Sequence, residues 1–108
     1  QAPSGMWHTL IDDDTSYLES SCTAGICYGI LKGIRKGYID REYEECGRKA
    51  LEAVLEKISP EGELMEVSYG TNVGRTLEHY KEIPMSKMHY GQALAMLVLI
   101  EGLEEHAE

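Results

Sequence analysis

Cys22-Thr23-Ala24-Gly25-Ile26-Cys27-Tyr28-Gly29-Ile30-Leu31 contains no charged residue, yet charged residues make up 27% of the chain. A surface helix carries a polar stripe opposite its apolar one, so an uncharged helix of this kind has to be enclosed on most sides. Ten residues fall well short of the roughly 20 that span a bilayer. Ser21, Gly25, Gly29 and Gly33 recur at every fourth position and leave a strip without bulk, which suits close packing of one helix backbone on another.

The flanks set the limits of this helix. Ser16 with Glu19 three positions later has the spacing of a capping box, which satisfies two orphan backbone donors and predicts a helix start at Ser16. Gly37 supplies a left-handed C-terminal residue, and Lys32, Arg35 and Lys36 complement the negative end of the helix dipole. Before Ser16 no period is sustained, and the first residues read as a loop with a short extended piece at Met6 to Ile11.

Downstream, Asp40 caps a second helix that runs to about Ile58. Its apolar positions, Tyr43, Gly47, Ala50, Leu51, Val54, Leu55 and Ile58, form a one-sided stripe, opposed by Glu42, Glu45, Arg48, Lys49, Glu52 and Glu56. So short a connection after Gly37 predicts an antiparallel helical hairpin. Leu64, Met65, Val67 and Tyr69 alternate loosely, and Gly70, Gly74 and Pro84 punctuate a long loop of the kind that often carries function. A third helix, from about Ser86 to Glu105, repeats the first pattern with an uncharged run from Gly91 to Ile100. Glu101, Glu104, Glu105 and Glu108 sit unfavourably on a helix C-terminus and predict a solvated tail.

The order is thus enclosed helix, one-sided helix, loop, enclosed helix. A four-helix bundle gives every helix one stripe, whereas this alternation suggests two concentric layers with apolar inner and amphipathic outer helices. The fold class expected is all-α. The 108 residues read as a single segment, and a closed ring of six hairpins needs on the order of 300 residues. Three helices cannot close such a ring, and Gln1 in place of an initiator Met suggests a start partway through a longer product.

A net charge of −9 and a pI near 4.8 argue against nucleic acid or an anionic membrane surface as partner. Cys22, Cys27 and Cys46 are odd in number, and two lie in the apolar run, so they read as buried thiols of a reducing, cytoplasmic compartment. No CxxC pair points to a metal, and Asp12-Asp13-Asp14 lacks the glycine turn and distant glutamate of a calcium loop. Gly70-Thr71-Asn72-Val73-Gly74 has no Lys after its second glycine and is not a phosphate-binding P-loop. No cofactor is expected.

Gly5-Met6-Trp7-His8-Thr9-Leu10-Ile11-Asp12, followed by Tyr17-Leu18-Glu19-Ser20-Ser21-Cys22-Thr23-Ala24, resembles the late segments of the unsaturated rhamnogalacturonyl hydrolases, glycoside hydrolase families 105 and 88. Lys32-Gly33-Ile34-Arg35-Lys36-Gly37-Tyr38, the Val67-Ser68-Tyr69-Gly70-Thr71 turn, Tyr80 and Tyr90-Gly91-Gln92-Ala93-Leu94 follow in the same order. The resemblance implies the C-terminal portion of an (α/α)6 six-hairpin toroid, with alternating inner and outer helices, acting on oligosaccharides that end in a 4,5-unsaturated uronic acid. In that family an aspartic acid protonates the enol-ether double bond, water adds at C5, and the hemiketal collapses to release the remaining sugar. The resemblance assigns the acid catalyst, an arginine and the pocket tryptophans to upstream segments absent from this sequence, so no catalytic residue is expected here.

Three residues are the expected substrate contacts. Trp7 either stacks on a sugar face or plugs the barrel mouth; Asp12 matches the family's loop aspartate and would orient a sugar or Trp7. Glu19 is either a helix cap or a group at the open end of the barrel. His8 stands where the family often has an aromatic and reads as an ordinary loop histidine. The alternative function is a non-catalytic helical module that completes its core by self-association, by docking on a partner, or against a missing N-terminal half.

Overall fold

The computed structural model describes residues 1–106. Trp7–His8 (β1) pairs antiparallel with Leu18–Glu19 (β2), and Ser20–Arg35 forms the first helix (α1). A single 3-10 turn at Arg41–Tyr43 leads into Glu44–Glu56 (α2). Val67–Ser68 (β3) pairs with Met85–Ser86 (β4) around a short helix, Leu77–Lys81 (α3), and His89–His106 (α4) completes the chain. The architecture is helix-rich as expected, but the loops contribute two small antiparallel ribbons that an all-α reading leaves out.

The start of α1 differs from expectation. Ser16 is not the cap, because Leu18 and Glu19 are held extended by pairing with His8 and Trp7. Its hydroxyl instead donates to the Asp13 carbonyl at 2.6 Å and accepts from the Leu10 amide at 3.2 Å, closing the preceding loop. Glu19 is itself the N-cap, its carboxylate accepting from the amides of Ser21 and Cys22. At the other end the Gly37 reading holds. Gly37 (φ +77°) donates to Ile34 and Tyr38 to Gly33, the paired bonds of a Schellman ending that L-residues adopt only with strain.

Asp40 caps the 3-10 turn by accepting from the Glu42 amide at 2.9 Å. The α1–α2 hairpin forms around Gly47: a Cβ there would lie 2.9 Å from Ile30, and the Cys27 thiol donates to the Gly47 carbonyl at 3.2 Å. That close approach rotates the buried stripe of α2 onto Gly47, Ala50, Ala53 and Val54 and leaves Tyr43 and Leu55 exposed, contrary to their expected inward placement. Of the three thiols expected to be buried, Cys27 is, whereas Cys22 and Cys46 are only partly buried.

α1 packs on both α2 and α4, which meet each other only slightly. The shared core is Ala24, Cys27 and Leu31 of α1, Ala50 and Val54 of α2, Leu64 and Val67 of the connection, and Ala95 and Val98 of α4. The expected enclosure of α4 is not met within these residues. Gly91, Ala95, Val98 and Gly102 are buried, while Met96, Leu97, Ile100 and Leu103 are exposed. Glu101 is also not a solvated tail group: it is 4% exposed and forms a two-pronged ion pair with Arg35, at 2.6 and 3.0 Å. Glu104 is exposed as predicted, whereas the side chain of Glu105 and all of Glu108 lie outside the described residues. No helix is long and apolar enough to cross a membrane among the residues described.

Candidate functional site

The N-terminal end of α1 opens into a cleft of about 250 Å³. Its floor is Glu19, which is 3% exposed. The carboxylate accepts from the Ser21 amide at 2.9 and 3.0 Å and from the Cys22 amide at 3.3 Å, and the Ser21 hydroxyl also donates to it. Three donors leave a carboxylate with spare acceptor capacity, since its two oxygens offer about four lone-pair sites. The positive end of the α1 dipole compensates for keeping this charge out of water.

One wall is built by the β3–β4 segment. Ser68 shares a hydrogen bond of 2.6 Å with the Tyr17 hydroxyl, and the Tyr90 hydroxyl donates to the Ser68 carbonyl. Thr71 and Thr9 add hydroxyls to the rim. The lining contains no Lys, Arg or His side chain. Cys22 faces the cleft too, but burial, and secondarily the charge of Glu19, pushes its thiol up to about 11. A thiol so protonated is a poor nucleophile, in agreement with its apolar helix. The arrangement is therefore suited to recognising hydroxyl groups by hydrogen bonds rather than to covalent or anion chemistry.

The three expected contact residues separate in space. Glu19 lines the cleft. Trp7 lies directly across from it in the β1–β2 register, half-buried against the core, with its amide donating to Thr23 Oγ1 at 3.0 Å. Asp12 is exposed on the loop between β1 and β2, outside the cleft. His8 has its Nδ1 2.7 Å from the Ser16 carbonyl oxygen, a loop-closing contact. Among the described residues no three His, Cys, Asp or Glu side chains are grouped so as to hold a metal ion.

In the same loop, Asp13 is held down to about 2 by hydrogen bonds from Thr15 and then Lys81. Lys81 is raised in turn, first by Asp13 and then by Glu78. Sequence reasoning did not select Ser68, Thr71, Tyr90 or Lys81 as site residues. Ser68 and Tyr90 meet only through the packing of α4 on β3, and the signal in the sequence was their place, with Thr71, in the Val67–Thr71 and Tyr90–Leu94 motifs of the family resemblance.

The sequence model of Glycosyl Hydrolase Family 88 matches residues 1–105. The unsaturated rhamnogalacturonyl hydrolase YesR of Bacillus subtilis is 35% identical over 105 residues, which cover 96% of this chain and 29% of that protein. The crystal structure of a possible GH105 family member from Salmonella enterica superposes with a TM-score of 0.96 at 52% identity, covering 98% of this chain and 28% of that one. A second possible GH105 member, from Klebsiella pneumoniae, has a TM-score of 0.96 at 49% identity, with the same coverage of both chains. The chain thus spans under a third of the length of these relatives. With its fold and nearly all of its residues matched, the chain belongs to Glycosyl Hydrolase Family 88.

Proposed function

We propose that this chain forms part of the wall and mouth of a sugar-binding barrel in a glycoside hydrolase. The reading extends to a closed six-hairpin toroid acting on pectin-derived oligosaccharides that end in a 4,5-unsaturated uronic acid. The observation that carries it is the hydroxyl-lined cleft on the Glu19 floor, within a chain of this family. In this reading Glu19 accepts from a sugar hydroxyl, Trp7 supports the strand that presents it, and Asp12 reaches bound substrate from its loop. The acid that protonates the double bond belongs to a part of the polypeptide outside these residues, and the enzyme works in the cytoplasm.

The test uses a polypeptide of the relatives' length that contains this segment. Hydration of the double bond removes the ultraviolet absorbance of the unsaturated uronic acid, so loss of absorbance with unsaturated pectin disaccharides is expected. Retention of absorbance with every unsaturated pectin and glycosaminoglycan disaccharide would reject the reading. Glu19→Gln is expected to raise KM, and these 108 residues alone are expected to show no turnover.

A second reading is favoured by one observation, the exposed apolar row Met96, Leu97, Ile100 and Leu103 on α4. Rows of this kind are rarely left bare. In that reading the chain is an interaction module that docks through α4. A stable, well-packed monomer at micromolar concentration in sedimentation would count against it.

A further inference from the structure

Residues 70–84 leave and rejoin the body at neighbouring points, because β3 and β4 pair and the Tyr69 amide donates to the Pro84 carbonyl at 2.9 Å. Between those points the segment is bonded to itself. The Gly74 amide donates to the Tyr80 hydroxyl at 3.0 Å, His79 Nε2 lies 3.1 Å from the Asn72 carbonyl oxygen, and the rings of His79 and Tyr80 meet edge to face. A Cβ on Gly74 would collide with the His79 ring, so the turn folds tightly onto α3. A loop closed at its ends and filled by its own side chains moves as a unit.

Little apolar packing fastens this unit to the rest. None of residues 70–84 is buried, and Val73 and Leu77 point into solvent. Besides the Gly70 amide on the Tyr90 hydroxyl at 3.4 Å, its anchor is Lys81, which reaches the β1–β2 loop that starts at the rim residue Thr9: its ammonium lies 3.0 Å from Asp13 Oδ2 and donates to Thr15 Oγ1 at 2.8 Å, with Glu78 of its own helix at 3.3 Å. Asp13 is in turn ordered by accepting from the Thr15 amide and hydroxyl. At the near end of the unit, Gly70 and Thr71 form the rim of the Glu19 cleft.

We propose that residues 70–84 are a preassembled flap over the Glu19 cleft, latched to the β1–β2 loop by Lys81 on Asp13 and Thr15. The latch is a partly exposed ion pair at the surface, weak enough to open and close at equilibrium. Opening swings the Gly70–Thr71 rim away from Ser21 and Cys22, so the latch governs entry to the cleft. This goes beyond the sugar reading and does not depend on what the cleft takes.

Cys22 lies in the cleft and Cys46 lies away from it on α2, so the chain carries its own reporter and control. The rate of alkylation by N-ethylmaleimide is measured at each thiol by peptide mass spectrometry. Lys81→Gln is expected to raise the Cys22 rate about two- to five-fold with Cys46 unchanged, the range set by exposed ion pairs. The swap Asp13→Lys with Lys81→Asp is expected to restore the original rate. High salt is expected to raise the rate in the unaltered chain, because it screens the pair.

An unchanged Cys22 rate in Lys81→Gln overturns the proposal, and so does an equal rise at both thiols, which marks general unfolding. Amide hydrogen exchange on the unaltered chain tests the same point without a variant. Residues 70–84 are expected to exchange together, ahead of α1, and faster at high salt. Exchange as slow as that of α1 and indifferent to salt overturns it.

Discussion

α1 and α4 carry uncharged runs of equal length, yet the chain treats them differently. α1 lies between α2 and α4, and from Cys22 to Leu31 the residue it leaves exposed is Gly29. α4 has α1 as its main neighbour and exposes Met96, Leu97, Ile100 and Leu103 on its far side. The open spot on α1 is the single residue Gly29, whereas the open side of α4 carries large apolar side chains. An uncharged run therefore reports the surroundings for which a helix is built, while exposure reports those it has in this chain.

The sharpest way to break the comparison is to put charge on the two faces of α4. Val98→Asp places an unpaired carboxylate at a position with no exposure, and is expected to cost about 4 kcal/mol or more. Urea denaturation followed by circular dichroism should show the chain largely unfolded. A stable Val98→Asp chain would mean that the α1–α4 contact is not part of the core.

Next in size is Glu101→Gln, which leaves Arg35 with a neutral partner and is expected to cost about 1.5–3 kcal/mol. Its pH dependence has a definite sign. The Arg35 hydrogen bonds hold the Glu101 carboxyl below its usual range in the folded chain. The contribution is therefore complete above the ordinary glutamate range near about 4.3 and is lost as pH falls through the lowered value. The acid limb of the stability profile should be shallower in Glu101→Gln than in the parent.

Two glycine substitutions then sharpen the contrast between the helices. A Cβ at Gly91 would lie 2.8 Å from the buried Val67, and Gly91→Ala is expected to cost about 1 kcal/mol after the gain in helix propensity. A Cβ at Gly29 meets nothing within 4 Å, so Gly29→Ala is expected to stabilise by up to about 1 kcal/mol. Thermal melts of the pair with opposite shifts would confirm that α1 has an open side in this chain. The smallest effect is expected from Ile100→Gln, within about 0.5 kcal/mol for the monomer. A marked change in its sedimentation would show that the exposed row of α4 is already engaged by a second copy.

Features set by neighbours in sequence were legible beforehand. Gly37 as the C-terminal residue of α1 and Asp40 as the following cap are satisfied within a few residues, so composition and spacing suffice. The helix start was misplaced because Leu18 and Glu19 pair with residues eleven or so positions upstream, which no local capping rule can register. Glu101 was misplaced for the same kind of reason, since its guanidinium partner lies 66 residues away. The candidate site was partly legible: Glu19 could be selected, but Ser68 and Tyr90 meet it only through packing between elements.

By itself, then, the sequence determined three helices, the enclosed character of α1, its ending at Gly37 and the hairpin turn that follows. These follow from propensity, periodicity and capping, all of which act over one or two helical turns. The tertiary structure alone decided that Glu19 is the buried floor of a cleft, that Lys81 joins residues 70–84 to the β1–β2 loop, and that α4 shows an apolar face to solvent. Those depend on contacts between distant residues, whose geometry exists only once the helices have packed.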